Sequence, residues 1–186
     1  MSATLLITSG ITGALVLASY AVVLADVTGF FPLPKTFTPT SGYIDSHYWL
    51  GMKSDSIIAI IVLQVLAGVG FVVWEIWLAT HGDYTFPNSI LSTLAFRIIL
   101  IQVFLWASFA WPFLTYFYMH DQTLSRAILA CVPLWIAALA TIIMIGGTFE
   151  AQAPPHAILS ILFFGLVVVL ADGVGWAAVC IKTTLN

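Results

Sequence analysis

Five apolar stretches, each about as long as a bilayer is thick and nearly free of charge, dominate this sequence of 186 residues. A helix needs about 20 mainly apolar residues to cross a hydrocarbon core of roughly 30 Å, where its backbone must be hydrogen-bonded internally. Only 7% of the residues are charged, against about 25% in soluble domains. The sequence therefore predicts an all-α integral membrane protein, a bundle of five transmembrane helices with short loops that forms one domain over residues 1–186. The predicted spans cover residues 4–25, 56–80, 89–119, 127–147 and 157–181.

Glycine and proline positions predict how these spans begin, bend and end. A straight helix over 89–119 would be about 46 Å long, so we expect it to tilt or to kink at Pro112. The Gly-Gly pair at 146–147 is expected to end the fourth span, and the Pro-Pro pair at 154–155 to begin the fifth. The first connection, 26–55, is rich in proline and aromatic residues, which predicts a loop at the membrane interface.

The basic residues predict an orientation. No Lys or Arg precedes Lys35, so the first span lacks the basic start of a secretory signal and is expected to be a retained helix. If the helices alternate in direction, Lys35, Lys53, Arg126 and Lys182 fall on one side, and the loops on the other side hold no Lys or Arg. Basic loops stay inside. The sequence therefore predicts an outside N-terminus and an inside C-terminus.

Two classes of site are disfavoured by composition. The formal charge of -3 and the absence of a basic run argue against nucleic acid as a partner. Cys131 and Cys180 lie in apolar runs without C-x-x-C spacing or a neighbouring His, and are interpreted as small apolar residues. No metal site is predicted.

Four polar residues of the second and third spans predict a helix-to-helix contact. Glu75 and Gln64 are eleven residues apart, about three helical turns, and so are Arg97 and Ser108. If the two spans pack side by side and antiparallel, one register therefore sets Glu75 level with Arg97 and Gln64 level with Ser108.

The same register sets Gly68 opposite Phe104, so that a large ring would fill a small-residue notch. Two readings of the Glu75 and Arg97 pair stay open. The pair either lines an ion or proton path, or holds two helices together near the outer interface.

Asp172 is the one charged residue of the fifth span. It is expected beyond the midplane, at about the depth of Gln64, with no Lys or Arg level with it. Its helical face also carries Gly165 and Gly175, which suit close packing. A charged residue within a membrane is by default a functional candidate. Asp172 is therefore either a proton or cation site, or a structural carboxyl hydrogen-bonded to Gln64 or to a backbone carbonyl.

The four histidines are expected in two pairs, one on each side of the membrane, as a transmembrane di-haem protein would require. His81 and His156 are expected on the outer side and His47 and His120 on the inner side. All four lie in loops or at helix ends, whereas haem ligands usually project from packed helices, so haem is disfavoured. A metal site built from two of them with Asp83 lacks any spacing that would place its ligands on one face.

The aromatic residues are concentrated toward helix ends, which is typical of interfacial belts and core packing. A pigment or lipid groove formed by Trp106, Phe109, Phe113 and Phe117 is the alternative. We expect lipid as a partner, and no other cofactor.

Three functions follow as hypotheses. The first is a non-enzymatic subunit or scaffold of a larger membrane assembly, whose partners are other membrane subunits or further copies of the chain. The second is a small channel or transporter for protons or cations, organised around Asp172. The third, a haem-binding or lipid-binding redox subunit, is disfavoured, as is any enzyme, because no nucleophile, base and orienting residue occur together.

Overall fold

The computed structural model describes residues 2–27, 54–80 and 89–185, and this part of the chain is helical without a strand. In these ranges five helices are long and apolar enough to cross a membrane, the same number as the predicted spans. The predicted interfacial loop, 26–55, falls almost entirely outside the described residues. The elements are α1 Ala3–Val27, α2 Ser54–Thr80, a 3₁₀ turn Ile90–Ser92, α3 Leu94–His120, α4 Leu124–Glu150, α5 Pro155–Leu166, a π-helical segment Val167–Trp176 and α6 Ala177–Leu185.

The third span begins later than predicted. Its helix starts at Leu94, because hydroxyl side chains just before it form hydrogen bonds with backbone groups. The Ser89 hydroxyl donates a hydrogen bond to the carbonyl of Gly147 at 2.7 Å, and the Thr93 hydroxyl caps α3 by accepting from the amide of Phe96 at 3.3 Å. Hydrogen bonds of this kind, from side chains to the backbone, are typical of the point where one segment ends and a helix begins. The resulting α3 has 27 residues, about 40 Å, and runs through Pro112 without a break.

The glycine pair at 146–147 does not end the fourth span, so that prediction is wrong. Helix α4 continues to Glu150, and the chain leaves it through Gln152, whose φ is 51°. Gly147 instead permits a close packing contact, because a Cβ atom there would lie 2.9 Å from Cγ2 of Ile90. The glycine is needed for its small volume and not for a turn.

The fifth span begins at Pro155, two residues before its predicted start at residue 157, and it is not one regular helix. Residues Pro155–Leu166 and Ala177–Leu185 are α-helical, whereas the segment Val167–Trp176 between them is π-helical. We call the three together the C-terminal helix. The sequence analysis did not predict the π-helical segment.

The helices do not pack in chain order. Helix α3 packs mainly on α4 and α1, and α2 packs mainly on α5, while α4 contacts every part of the C-terminal helix. Within the described residues, the backbones of α2 and α3 make at most slight contact. We call the end of the bundle at which α1 begins the N-terminal end, and the opposite end the C-terminal end.

Two apolar clusters form the core. The cluster nearer the N-terminal end centres on the rings of Phe71, Phe104 and Phe164, whose centroids are 5.0–5.4 Å apart. The cluster nearer the C-terminal end includes Trp111 and Trp176, which meet edge to face at 5.7 Å. Helix α4 is the most enclosed, with half of its apolar window buried, against 22% for α1 and for α2. Helices α1 and α2 are therefore peripheral.

Candidate functional site

The charged residues Glu75 and Arg97 do not form the predicted ion pair. The Glu75 carboxylate accepts a hydrogen bond from the hydroxyl of Ser9, on α1. The Arg97 guanidinium is buried and donates to the carbonyls of Leu91 and Ser92, in the 3₁₀ turn before its own helix. Within the described residues each group thus has other partners, and the predicted pair is wrong. The register argument assumed that α2 packs beside α3, whereas α2 packs on the C-terminal helix and α3 on α1.

The polar residues Gln64 and Ser108 are not partners either. The Ser108 hydroxyl donates to the carbonyl of Phe104 in its own helix, at 2.9 Å. The Gln64 amide donates to Oδ1 of Asp172 at 3.2 Å. The predicted contact between Gln64 and Ser108 is therefore wrong, while the predicted common depth of Gln64 and Asp172 is confirmed.

The expected notch at Gly68 is also absent. A Cβ atom at Gly68 would have no neighbour within 4 Å, so this glycine lies beside open space. Phe104 packs instead against Phe71 and Phe164. The close approach of α2 occurs at Gly70, where a Cβ atom would lie 2.9 Å from the backbone oxygen of Ser160.

Asp172 lies inside the π-helical segment. In a π-helix each backbone hydrogen bond spans five residues, an arrangement that is rare and is frequently found at functional sites. The indole of Trp135, on α4, donates to the carbonyl of Gly173 at 3.1 Å. A Cβ atom at Gly173 would lie 3.1 Å from that of Ala138, so glycine lets the segment approach α4 closely. The sequence signal for this irregularity was the Gly-x-Gly pattern next to an intramembrane acid.

A second set of polar contacts lies nearer the N-terminal end of the bundle. The hydroxyl of Thr12 donates to Oε1 of Gln102 at 2.7 Å, next to the contact of Ser9 with Glu75. The Gln102 amide nitrogen is buried and has no hydrogen-bond partner among the described residues. Along α2, Glu75 is eleven residues from Gln64, or about 16 Å. The buried and partly buried polar side chains are therefore spread over about 16 Å of helices that are about 40 Å long.

The sequence analysis missed the polar residues of α1. Their signal was a repeat at alternating intervals of three and four residues, which places side chains on one helical face. The structure buries that face against the rest of the bundle. Its buried members are Leu5, Ser9, Thr12, Ser19 and Val23.

In the described part of the apolar helices, the carboxyls of Glu75 and Asp172 both accept hydrogen bonds from neutral donors. Glu75 accepts from a hydroxyl and Asp172 from an amide, whereas the one ion pair between described residues joins Arg126 to Asp121, partly exposed at the C-terminal end. An ionised carboxylate without a nearby cation is costly in apolar surroundings. Such a carboxyl is suited to taking up a proton or a small cation, which removes that cost.

The histidines give the site no ligands in the described part of the chain. His47 and His81 lie outside the described residues, as does the side chain of His120, and His156 is exposed. Among the residues that the structure describes, no group of three or more His, Cys, Asp or Glu side chains is placed to hold a metal ion. Haem binding was not tested by this geometry and stays a disfavoured hypothesis.

The aromatic residues proposed for a groove form a ladder on α3. The rings of Trp106, Phe109 and Phe113 meet edge to face, with centroids 5.5 and 5.4 Å apart. Trp106 and Phe117 are about half exposed, so this ladder lies at the outer surface of the bundle.

The described residues thus define a class, that of helical proteins with five helices long and apolar enough to cross a membrane, in which one buried and one partly buried carboxyl, Glu75 and Asp172, contact polar side chains of other helices. No family model matches the chain, and no curated protein or solved structure is significantly similar to it.

Proposed function

We propose that this protein is an integral membrane protein that binds and passes protons through its helical bundle, with Asp172 as the principal binding group. The observation that carries the proposal is the contact of Asp172 with Gln64 in the middle of a π-helical segment. A carboxyl in this position can take up and release a proton, while the amide fixes its orientation. Non-regular helix within a span is found where backbone groups are sheltered by protein or line a functional cavity.

The buried polar side chains supply further groups along the same direction. From Asp172 toward the N-terminal end, the bundle contains the pair of Thr12 with Gln102 and then Glu75 with Ser9. Hydroxyl groups both donate and accept hydrogen bonds, and carboxyls exchange protons, so these side chains have the chemistry of a relay. Chains of such groups mark proton paths in pumps and transporters.

The ligand set favours a proton over a metal cation. Magnesium and calcium ions require six or more oxygen ligands, and the contact at Asp172 offers one carboxylate and one amide. A proton requires one carboxylate oxygen. We therefore expect proton movement without a requirement for sodium, potassium or a divalent cation.

A flux measurement tests the proposal. The purified full chain, reconstituted in liposomes with a trapped pH-sensitive dye, should collapse an imposed pH gradient faster than liposomes without protein. The same rate is expected when sodium replaces potassium in the buffer. The absence of flux, under both a pH gradient and a membrane potential, would disprove the proposal.

A second candidate function is that of a non-enzymatic subunit or scaffold in a larger membrane assembly, including one built from copies of this chain. The peripheral position of α1 and α2 favours it, since both expose long apolar faces. Large exposed apolar surfaces serve either lipid or partner helices. Extraction in a mild detergent from its own membrane should then yield a particle much larger than one chain. A single-chain particle would count against this candidate.

We further propose that the N-terminus lies outside and the C-terminus inside. In a chain without native cysteines, the variants Asp83→Cys and Glu150→Cys should react with a membrane-impermeant maleimide added from outside. Asp121→Cys is the matched control and should react only after the membrane is opened. Labelling of Asp121→Cys from outside would reverse the orientation.

A further inference from the structure

The hydrogen bond between Ser9 and Glu75 has a competing acceptor close by. The Ser9 hydroxyl lies 2.7 Å from the backbone carbonyl of Leu5, one turn earlier on α1, and also contacts Oε1 of Glu75 on α2. Both side chains are buried, with 4% and 8% of their surface exposed. A serine hydroxyl has one hydrogen to donate and lone pairs with which to accept. It therefore cannot donate fully to both oxygen atoms at once.

The protonation state of Glu75 decides which oxygen receives the Ser9 hydrogen. An ionised carboxylate is an acceptor, so the hydroxyl then donates to Glu75 and the Leu5 carbonyl loses this hydrogen bond. A protonated carboxyl donates its own hydrogen to Ser9, and the Ser9 hydrogen is then donated to Leu5. In both states the same oxygen atoms stay in contact. A proton can thus bind at Glu75 without separating α1 from α2.

The contact between Thr12 and Gln102 has the same arrangement without a titratable group. The Thr12 hydroxyl lies 2.9 Å from the carbonyl of Thr8 and 2.7 Å from Oε1 of Gln102. An amide can turn over and offer an N–H in place of its oxygen. The Gln102 nitrogen has no partner among the described residues that this rotation would remove. Glu75 can offer a hydrogen only by binding a proton, so of the two contacts it is the one at Glu75 that depends on pH.

Other titratable or charged groups lie on the elements around Glu75. Within the described residues, each of them has another hydrogen-bond or ring partner or is exposed, so none supplies the hydrogen that Ser9 and Leu5 share. These groups are Tyr20 on α1, Arg97 on α3, Glu150 on α4, His156 on α5 and Asp172 in the π-helical segment.

We propose that Glu75 is a second proton-binding residue of the bundle and that Ser9 positions its proton, donating to Glu75 when the carboxyl is ionised and to Leu5 when it is protonated. One O–H bond forms at Glu75 when the proton is taken from water, and the same bond breaks when the proton is returned. Glu75 lies five residues before the end of α2, about 8 Å from the N-terminal end of the bundle. The inference rests on the proposed function for the route of the proton, whereas the binding itself is an equilibrium that requires no flux.

A single carbonyl signal tests the proposal. The sequence contains one Leu-Leu pair, Leu5 and Leu6. In a chain labelled with leucine that carries ¹³C at the carbonyl and ¹⁵N at the amide, the Leu5 carbonyl is therefore the one bonded to a labelled nitrogen, and a carbon–nitrogen correlation spectrum selects it. We expect this signal to move upfield as the pH of the full chain in lipid nanodiscs is raised, because the carbonyl loses the Ser9 hydrogen.

Variants assign the response to its groups. Glu75→Gln and Ser9→Ala should each abolish it, the first because the side chain no longer titrates and the second because no hydroxyl changes acceptor. Thr8→Ala is the matched control and should keep the response, since the Thr8 hydroxyl contacts carbonyls of its own helix. Asp172→Asn should keep it as well, which separates Glu75 from the principal binding group.

Two results would overturn the proposal. One is a Leu5 signal that does not move with pH in the native chain, over the range in which the chain stays folded. The other is a response that persists in Glu75→Gln or in Ser9→Ala. The first result needs no variant, so a variant that fails to fold does not prevent an answer. The expected response without any proton flux would remove the proposed function and still establish Glu75 as a proton-binding residue.

Discussion

The variant Asp172→Asn is expected to lose proton flux while keeping its helical content and its unfolding temperature nearly unchanged. Asparagine has almost the size of aspartate and can still hydrogen-bond to Gln64, whose amide now donates to Asp172 at 3.2 Å. It cannot take up and release a proton near neutral pH. Flux in liposomes and circular dichroism in detergent measure the two properties on the same preparation.

A leucine at the same position distinguishes the loss of proton binding from the loss of the hydrogen bond to Gln64. Asp172→Leu should also lose flux, but should unfold at a lower temperature, because the partly buried amide of Gln64 loses its partner at a cost of about 1–3 kcal/mol. Asp121→Asn is the matched control, since that carboxyl is exposed at the C-terminal end and far from the π-helical segment in sequence. Its flux should be unchanged.

Two results would contradict the role of Asp172. Full flux in Asp172→Asn would place proton binding elsewhere in the bundle. Equal destabilisation of the asparagine and leucine variants would show that the carboxylate itself supports the fold.

The variant Gly70→Leu is expected to lower the free energy of unfolding by about 3 kcal/mol, at the upper end of the usual cost of overpacking. A Cβ atom at Gly70 would already lie 2.9 Å from the backbone oxygen of Ser160, and 3.9 Å from a ring carbon of Phe163. A backbone oxygen within a helix is fixed by the helix and cannot move away from a new side chain. The substitution should therefore separate α2 from α5, and with it Gln64 from Asp172.

Gly68→Leu is the matched control, because it lies on the same helix and its Cβ atom would meet nothing within 4 Å. We expect its unfolding free energy to change by no more than about 0.5 kcal/mol, as for most surface substitutions. Thermal unfolding in detergent compares the two. Similar unfolding temperatures for both variants would show that α2 does not pack on α5 through Gly70.

The sequence by itself predicted the number of long apolar helices, their approximate limits and the common level of Gln64 and Asp172. Each of these depends on one helix at a time, because a span must be long and apolar enough and must satisfy its own backbone. Gln64 and Asp172 could be set at one depth by counting residues along their helices. The predicted start of the third span was wrong, because hydroxyl side chains cap the backbone just before α3.

Only the tertiary structure decided which helices are neighbours. The spans are apolar on every side, so hydropathy does not distinguish a face that meets lipid from one that meets another helix. For this reason counting could not show that Glu75 meets Ser9. The π-helical segment around Asp172 depends on the same contacts, since Gly173 approaches Ala138 and its carbonyl is bound by Trp135. Contacts between distant parts of the chain carry that information, and an apolar sequence pattern does not encode them.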